Sequence, residues 1–473
     1  MTERSLLPEF SDAALAEAAS LAQSPRAEAA PGESIRDMRD RLWMSVDNDD
    51  SLDLDQLSVA EPLMDGAARM FVAIADVGAL VEKGSAIDDH ARTNTTSVYT
   101  AAQTFPMLPD RLSYDLTSLV QGADRRAIVI EMVARSDGST EGGDVYRAVV
   151  RNRAKLAYNA VAAWLDGSSS APAPILAVAG MDEQVRLQDR IAQQLRRQRF
   201  EHGALTLETL EARALFEGGA LSDLVPEGRN RAKDMIEDLM IAANVVTARF
   251  LERKKLPSLR RVLRSPERWA KIVLLAESVG DSLPADPSNE ALQHFLSRRR
   301  DADPSRFADL SLAVVKLLGR GEYVLEMPGQ AAPGHFGLAL RDYTHSTAPN
   351  RRFPDLITQR LLTASLSGSA PPYGADELNG LAAHCTVQED NAAKVERRVR
   401  KSAAALLLAS HIGEHFDALV TGASPKGTWV RIARPAAEGK LVRGFHGLDV
   451  GDRVRVELVS TDFEQGFVDF ARA

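Results

Sequence analysis

The chain of 473 residues contains a single cysteine, Cys385, which excludes an intramolecular disulfide framework and a cysteine-rich zinc site. No stretch approaches the run of about eighteen apolar residues that a membrane helix requires. The start, Met1-Thr2-Glu3-Arg4, has an acid close by and no apolar segment after it, so no secretory signal is expected. These absences together point to a reducing cytoplasm. There is also no surplus of basic charge: the formal net charge is −9, and any nucleic-acid binding has to come from a local basic groove. A Walker phosphate loop, a strand-linked Gly-x-Gly-x-x-Gly, a His-Glu-x-x-His and a Gly-x-Ser-x-Gly elbow are all missing. What is present is the composition of a soluble globular protein, 45% hydrophobic and 26% charged, with length enough for two to four domains.

Residues 1–34 hold one short helical pattern, 11–22, and a Pro/Ala/Glu stretch from 25 to 34, too little for a core of their own. Residues 70–75 and 126–134 read as buried strands. Helical spacing is found over 185–200, 230–256, 355–364 and 392–412, and 230–256 stops before Pro257. Residues 167–174 and 367–374 are loops by composition. From Phe416 the pattern changes to short alternating runs separated by Gly, Pro or Asp, as in a small barrel. The expected fold is therefore α+β and multidomain: an N-terminal extension over 1–40, a mixed α/β body over 41–413 and an all-β barrel of OB type over 414–473.

The densest chemical signal is Asp47-Asn48-Asp49-Asp50-Ser51-Leu52-Asp53-Leu54-Asp55-Gln56, in a segment (35–65) with nine Asp or Glu against three Arg. Clustered carboxylates repel one another unless cations screen them; the plainer reading is a solvated acidic loop. A calcium loop would need Gly at its sixth position and Glu at its twelfth. Counting from Asp47 gives Leu52 and Ser58, and counting from Asp49 gives Leu54 and Ala60, so both registers fail. A hard-oxygen site for Mg²⁺ or Mn²⁺ remains.

Nearly three hundred residues later, Arg351 and Arg352 stand side by side ahead of a helix. They could hold a phosphate by bidentate bonds, or could simply pair with Asp355. Arg249, Arg253, Lys254, Lys255, Arg260, Arg261 and Arg264 face only Glu252 in their stretch. They suit either a groove that tracks a nucleic-acid backbone or a solvated helix end. Cys385 reads as a small buried side chain, and His335 and His345 suit packing as well as function.

Taken in order, these blocks resemble the ribonuclease II family, whose catalytic domain is called RNB. Asp47…Asp53-Leu54-Asp55 is similar to the family's metal-binding aspartate motif, and 70–76 (MFVAIAD) to the strand after it. Ser97-Val98-Tyr99 with Pro106-Met107-Leu108-Pro109, the segments 203–205 and 235–244, and 335–356 continue the likeness. Residues 416–473 resemble the C-terminal OB fold of the ribosomal-protein-S-one type.

The resemblance implies a processive, hydrolytic 3′→5′ exoribonuclease that acts on single-stranded RNA and releases nucleoside 5′-monophosphates. It implies a monomer using Mg²⁺, with Mn²⁺ as a substitute. It assigns Asp47, Asp53, Asp55 and Gln56 to the metal, and Asp55 and Arg351 to catalysis. Tyr99 would stack on a base, Glu237 would bind the terminal ribose, and Arg351 and Arg352 would meet the phosphate. Trp429, Arg431, Arg434 and Lys440 would form an outer clamp on RNA.

Four departures from the family pattern stand out. Gln56 occupies the place of an aspartate, which removes one charge that Asp49 or Asp50 could restore. Ala348-Pro349-Asn350-Arg351 replaces Ser-Pro-Ile-Arg, and Leu207 stands where some relatives have a base-clamping phenylalanine. About forty residues precede the RNB-like region, so the two cold-shock-type domains common in relatives are expected to be lacking and the RNA entrance to be more open. Gln56, Ala348 and Asn350 also motivate an alternative: a catalytically weakened, RNA-binding RNB protein.

Overall fold

The structure, a computed structural model, describes residues 1–21, 34–208, 211–217, 220–330, 332–424 and 427–473. At its centre is a seven-stranded sheet made from β1 (Ile35–Asp37), β2 (Met44–Asp47), β3 (Gln56–Pro62), β4 (Ala68–Ala75), β5 (Asp124–Ala134), β6 (Thr140–Arg151) and β7 (Ala154–Ala157), in the order β1-β6-β5-β4-β3-β2-β7. The pairings are antiparallel except at the two edges, β1 on β6 and β2 on β7. β4 reads as a continuous apolar run because it is central and covered: all of its residues except Arg69 are buried. Its pairing with β5 runs unbroken from Ala68↔Ala134 to Ala75↔Ala127.

Helices cover this sheet. α1 (Met181–Glu201) lies beside α2 (Arg231–Arg253), whose buried stripe recurs every three or four residues through Met235, Leu239, Ala243, Val246 and Phe250. α2 starts where the Asn230 side chain accepts the Lys233 N–H at 2.9 Å. α3 (Phe353–Ser367) has Pro354 in its first turn, where no N–H is needed, and ends at Gly368 with φ +67°. α4 (Ala375–Leu408) begins seventeen residues before the expected 392. Gly380, Thr386 and Asn391 weaken helix propensity there, but Leu378, Leu381, Ala382 and Cys385 are buried at helical spacing, and packing outweighs propensity. Cys385 is 1% exposed, and burial pushes its thiol pKa up, as suits an inert side chain.

The N-terminal segment packs on the body. Leu6 and Ala14 are fully buried, the Leu7 N–H donates to Asn94 Oδ1 at 2.8 Å, and Arg111 donates to the carbonyls of Ala19 and Leu21. The Pro/Ala/Glu stretch expected over 25–34 lies, except for Ser34, outside the described residues. The expected loop over 167–174 ends in a short helix, Ala173–Leu176, with proline in its first turn.

The C-terminal strands β8 (His415–Ser424), β9 (Gly427–Ile432), β10 (Ala437–Arg443), β11 (Arg453–Asp462) and β12 (Phe467–Arg472) close into a barrel in the order β8-β9-β10-β12-β11. Their period-two pattern fills it: Thr428, Val430 and Ile432 of β9 are buried while the residues between them are not. Ala404, Ala405 and Leu408 at the end of α4 share the barrel's core and so join it to the body. A mixed α/β body followed by an OB-like barrel is the architecture expected from the sequence. Among the described residues, no helix is long and apolar enough to cross a membrane.

Candidate active site

β2 ends at Asp47 and β3 begins at Gln56, and the two strands pair antiparallel, so the intervening acidic loop folds Asp47 and Asp55 back toward one end of the sheet. The loop is pinned from outside. Lys155 Nζ donates to the Ser51 carbonyl at 2.6 Å, and Ser118 Oγ donates to the Leu52 carbonyl at 2.7 Å while accepting the Leu54 N–H at 3.0 Å. Asp47, half-buried, accepts from Ser51 Oγ at 2.8 Å and from the Asn48 N–H at 3.0 Å. Burial raises its pKa, the Ser51 bond opposes this, and the charge of Asp53 adds to it. Asp53 accepts the Tyr99 hydroxyl at 3.2 Å, and the Tyr99 N–H donates to Glu396 Oε1 on α4 at 2.9 Å.

Asp55 is 3% exposed. Its Oδ2 accepts Arg351 Nε at 2.9 Å and its Oδ1 accepts the Asn350 N–H at 3.2 Å. Burial pushes its pKa up to about 7, against the attraction of Arg351 and with the repulsion of Asp53. For Arg351, burial opposes the charge, but Asp55 outweighs it and the pKa is raised. The remaining guanidinium nitrogens of Arg351 have no partner among the described residues, and the side chain is 40% exposed. Thus a buried acid and a partly open guanidinium, 296 positions apart in the chain, meet at one point.

The loop that delivers Arg351 is held along its length. Asn244 Oδ1 accepts both the N–H and the Oγ of Ser346 at 2.8 Å, Asp355 Oδ1 accepts the Ala348 N–H at 2.8 Å, and the Arg351 carbonyl accepts the Ser97 N–H at 3.0 Å. Arg352 differs from its neighbour: its Nη2 donates to Asp355 Oδ1 at 2.7 Å, and Asp355 has no exposed surface. Asp355→Ala strands both Arg352 and the Ala348 N–H. It is expected to cost about 3 kcal/mol or more of stability in urea unfolding, whereas Asp355→Asn, which keeps an acceptor, costs less.

The other expected site residues are placed as follows. Gln56 is half-buried at the start of β3, paired with Ile74, and its side chain makes no hydrogen bond to a described residue. Glu237, on α2, forms an ion pair with Arg229, which also binds Asp234 at 2.7 Å, and makes no hydrogen bond or ion pair to the acidic loop. Leu207 packs against the core of a helical lobe with Trp269, Phe295 and Phe336. Arg431 is matched to Asp309 at 2.7 Å, whereas Arg434 and Lys440 are exposed and Trp429 is half-buried opposite Lys440.

The basic run over 249–264 divides: Arg253, Lys254 and Lys255 are exposed at the end of α2, and the later arginines are paired. Arg260 is buried against Glu326, Arg261 holds Glu389 through two bonds of 2.6 and 3.0 Å, and Arg264 meets Glu322 at 2.5 Å. Acids from 58 to 128 positions away neutralise these three arginines. His345 accepts or donates to the Tyr323 hydroxyl at 2.8 Å, and His335 packs on Tyr343, an aromatic cluster in which burial lowers both histidine pKa values.

Residues 35–368 match the RNB domain, and residues 414–473 match the RNase II-type exonuclease C-terminal S1 domain. The chain belongs to the RNB family. Ribonuclease R of Thermotoga maritima is 32% identical over 422 residues, covering 85% of this chain and 57% of that protein; Ribonuclease R of Escherichia coli is 28% identical, covering 92% and 57%. The chain thus spans little more than half the length of these curated relatives. Mycoplasma genitalium RNase R in complex with ribose methylated single-stranded RNA superposes with a TM-score of 0.87 at 22% identity, covering all of this chain and 77% of that one. Yeast Ssd1, a pseudonuclease, superposes with a TM-score of 0.67 at 16% identity, covering 89% of this chain and 52% of that one.

The RNB family generally depends on a divalent metal. Among the described residues, no three Asp, Glu, His or Cys gather into a cage for an ion. Asp47 and Asp55 nevertheless fit a hard cation in kind. Both are oxygen donors whose ionised form burial disfavours, and both feel the charge of Asp53. One or two carboxylates, with the rest of the shell left to water and substrate phosphate, is how Mg²⁺ is usually held.

Sequence reasoning missed Lys155, Ser118, Asn244 and the Asn350 N–H. Lys155 and Ser118 lie outside the motif blocks, and Asn244 and Asn350 lie inside them but act through partners 102 and 295 positions away, which no local pattern marks.

Proposed function

We propose that this RNB protein is a processive, hydrolytic 3′→5′ exoribonuclease that degrades single-stranded RNA to nucleoside 5′-monophosphates. The observation that carries the reading is the meeting of buried Asp55 with Arg351, whose side chain is 40% exposed and whose remaining guanidinium nitrogens have no partner among the described residues. Asp47, Asp53, Asp55 and Gln56 would hold Mg²⁺, or Mn²⁺ in its place. When bound, the cation supplies Lewis acidity to the phosphoryl oxygens. Arg351 neutralises the charge that grows on the scissile phosphate, an interaction strongest in the transition state. Arg352 supports that loop through Asp355 and adds positive potential at the phosphate. Tyr99, 44% exposed, stacks on a base without regard to sequence, worth about 1–3 kcal/mol. Glu237 accepts from the terminal ribose, whose 2′-hydroxyl separates RNA from DNA.

In this reading the extension (1–40) braces the body, the body (41–413) carries the chemistry and the barrel (414–473) clamps RNA ahead of it. The protein works as a monomer in the cytoplasm.

The test is release of mononucleotides from 5′-labelled poly(A) with Mg²⁺ or Mn²⁺. Loss of the release on adding EDTA supports the reading. RNA binding without any release favours the alternative, a weakened RNA-binding protein, for which Gln56 and the lack of a three-acid cage among the described residues are the motivating observations.

The raised pKa of Asp55 makes metal binding compete with a proton. With a pKa of about 7, the carboxyl is mostly protonated at pH 6 and mostly ionised at pH 8. Mg²⁺ affinity is therefore expected to be about tenfold weaker at pH 6 than at pH 8, read by thermal shift or calorimetry. Equal affinity at both pH values would remove Asp55 from the metal's ligands.

A further inference from the structure

Leu6 has no exposed surface, yet it is not part of the central core. It packs in a small cluster of its own with Val98 and, on α4, with Ala392 and Val395, and Phe105 and Val399 lie against that cluster. Val98 and Tyr99 form one strand of a short hairpin whose other strand is Thr104–Phe105. Successive side chains on a strand point to opposite faces, and Val98 is fully buried while Tyr99 is 44% exposed. Leu6 therefore packs behind the hairpin that presents the Tyr99 ring.

The chain on either side of Leu6 is held by two buried amide side chains. On α4, Gln388 Nε2 donates to the Ser5 carbonyl at 2.9 Å and to the Thr93 carbonyl at 2.6 Å. Asn94 meets both backbone groups of Leu7: its Oδ1 accepts the N–H at 2.8 Å and its Nδ2 donates to the carbonyl at 2.9 Å. Neither amide is more than 2% exposed, so losing these partners would leave buried polar groups unsatisfied. From Asn94 the chain runs directly into the site. The Thr95 carbonyl accepts the Phe353 N–H at 2.8 Å, the Ser97 N–H donates to the Arg351 carbonyl at 3.0 Å, and the Tyr99 N–H donates to Glu396, the residue after Val395 on α4.

We propose that residues 1–7 belong to the machinery that binds the 3′ end of the RNA, with Leu6 as the positioning residue for Tyr99. A hairpin with two residues in each strand has little stability of its own, so its geometry is set by what packs beneath it. Leu6 and α4 supply that packing. The Glu396 bond fixes the backbone at Tyr99, and Leu6 fixes how the strand sits around that bond. Shortening Leu6 opens a cavity under Val98, the hairpin settles into it, and the Tyr99 ring loses the orientation that stacking requires. The proposal rests on the base-stacking role given to Tyr99 above.

The experiment uses the full chain in EDTA, where RNA is bound without being cut. The probe is a short oligoadenylate with 2-aminopurine at its 3′ end, whose fluorescence is quenched when that base stacks. Tyr99→Ala is expected to weaken binding about tenfold and to abolish the quenching. Leu6→Ala is expected to weaken binding about fivefold and to remove most of the quenching. The double variant L6A/Y99A should bind no more weakly than Tyr99→Ala alone, because both changes remove one and the same interaction. Leu6→Met, which conserves the volume, should restore binding and quenching. Leu6→Val, expected to weaken binding about twofold, decides the matter if Leu6→Ala fails to fold by circular dichroism. A folded Leu6→Ala chain that melts lower but quenches fully would make Leu6 a stability residue only and overturn the proposal. A double variant whose losses add would overturn it too. Tyr99→Ala without effect on binding or quenching would remove the stacking role and the proposal with it, and that single variant tells this failure apart from failure of the positioning role alone.

Discussion

Asp55→Asn is expected to slow mononucleotide release by about a thousandfold or more, a loss of roughly 4 kcal/mol of transition-state stabilisation, while RNA binding stays within a few-fold. The amide keeps the shape of the carboxylate and can still accept one of its two bonds, from Arg351 or from the Asn350 N–H. It cannot supply the negative charge that a hard cation needs. The effect on stability should be small and runs in a defined direction. The folded protein raises the Asp55 pKa from 3.8 to about 7, so ionising this group costs native stability as the pH rises through that interval. The uncharged amide does not bear that cost. The metal-free variant at pH 8 should therefore melt no lower than the unaltered chain, which distinguishes lost chemistry from lost folding. A fall in melting temperature alongside the fall in rate would assign Asp55 a structural part instead.

Arg351→Ala is expected to lower kcat by about a thousandfold, the lower end of what a transition-state arginine contributes in phosphoryl transfer. Binding of RNA should weaken far less, because one interaction among many along the strand is removed. Arg351→Lys keeps the charge but not the planar fork that reaches Asp55 and a phosphate together, and should recover only about a tenth of the missing activity. Single-turnover rates at saturating RNA measure both variants. A change confined to KM would mean that Arg351 binds the substrate and its transition state equally.

How much of the molecule is readable from its sequence follows from how far along the chain each interaction reaches. The acidic run Asp47 to Asp55 is local, and its charge density marks it without any knowledge of the fold. The barrel is legible for the same reason, since alternation along β9 and β11 is a property of neighbouring residues. The partnership of Asp55 with Arg351 spans 296 positions and is accessible only through the family likeness, because no local pattern encodes it. The basic run over 249–264 misleads for that reason too. The counter-charges of Arg264, Arg260 and Arg261, namely Glu322, Glu326 and Glu389, arrive from distant elements, so these arginines are paired while Arg253, Lys254 and Lys255 stay exposed. Conversely, Arg397, Arg400, Lys401 and Arg453, which form no ion pair among the described residues, lie on α4 and β11, and only the docking of barrel on body gathers them. Adjacency in the sequence groups Arg352 with Arg351. The chain turns into α3 at that point, and successive side chains take different partners, Asp55 for one and Asp355 for the other.

The most direct measurement is to locate the 3′-terminal phosphodiester in a crystal of the Asp55→Asn variant soaked with a short oligoadenylate and Mg²⁺. The account predicts that phosphate within hydrogen-bond distance of the Arg351 guanidinium and beside the substituted side chain, with Tyr99 against a base. A strand that leaves its terminal phosphate elsewhere, with Arg351 touching no RNA, would contradict it.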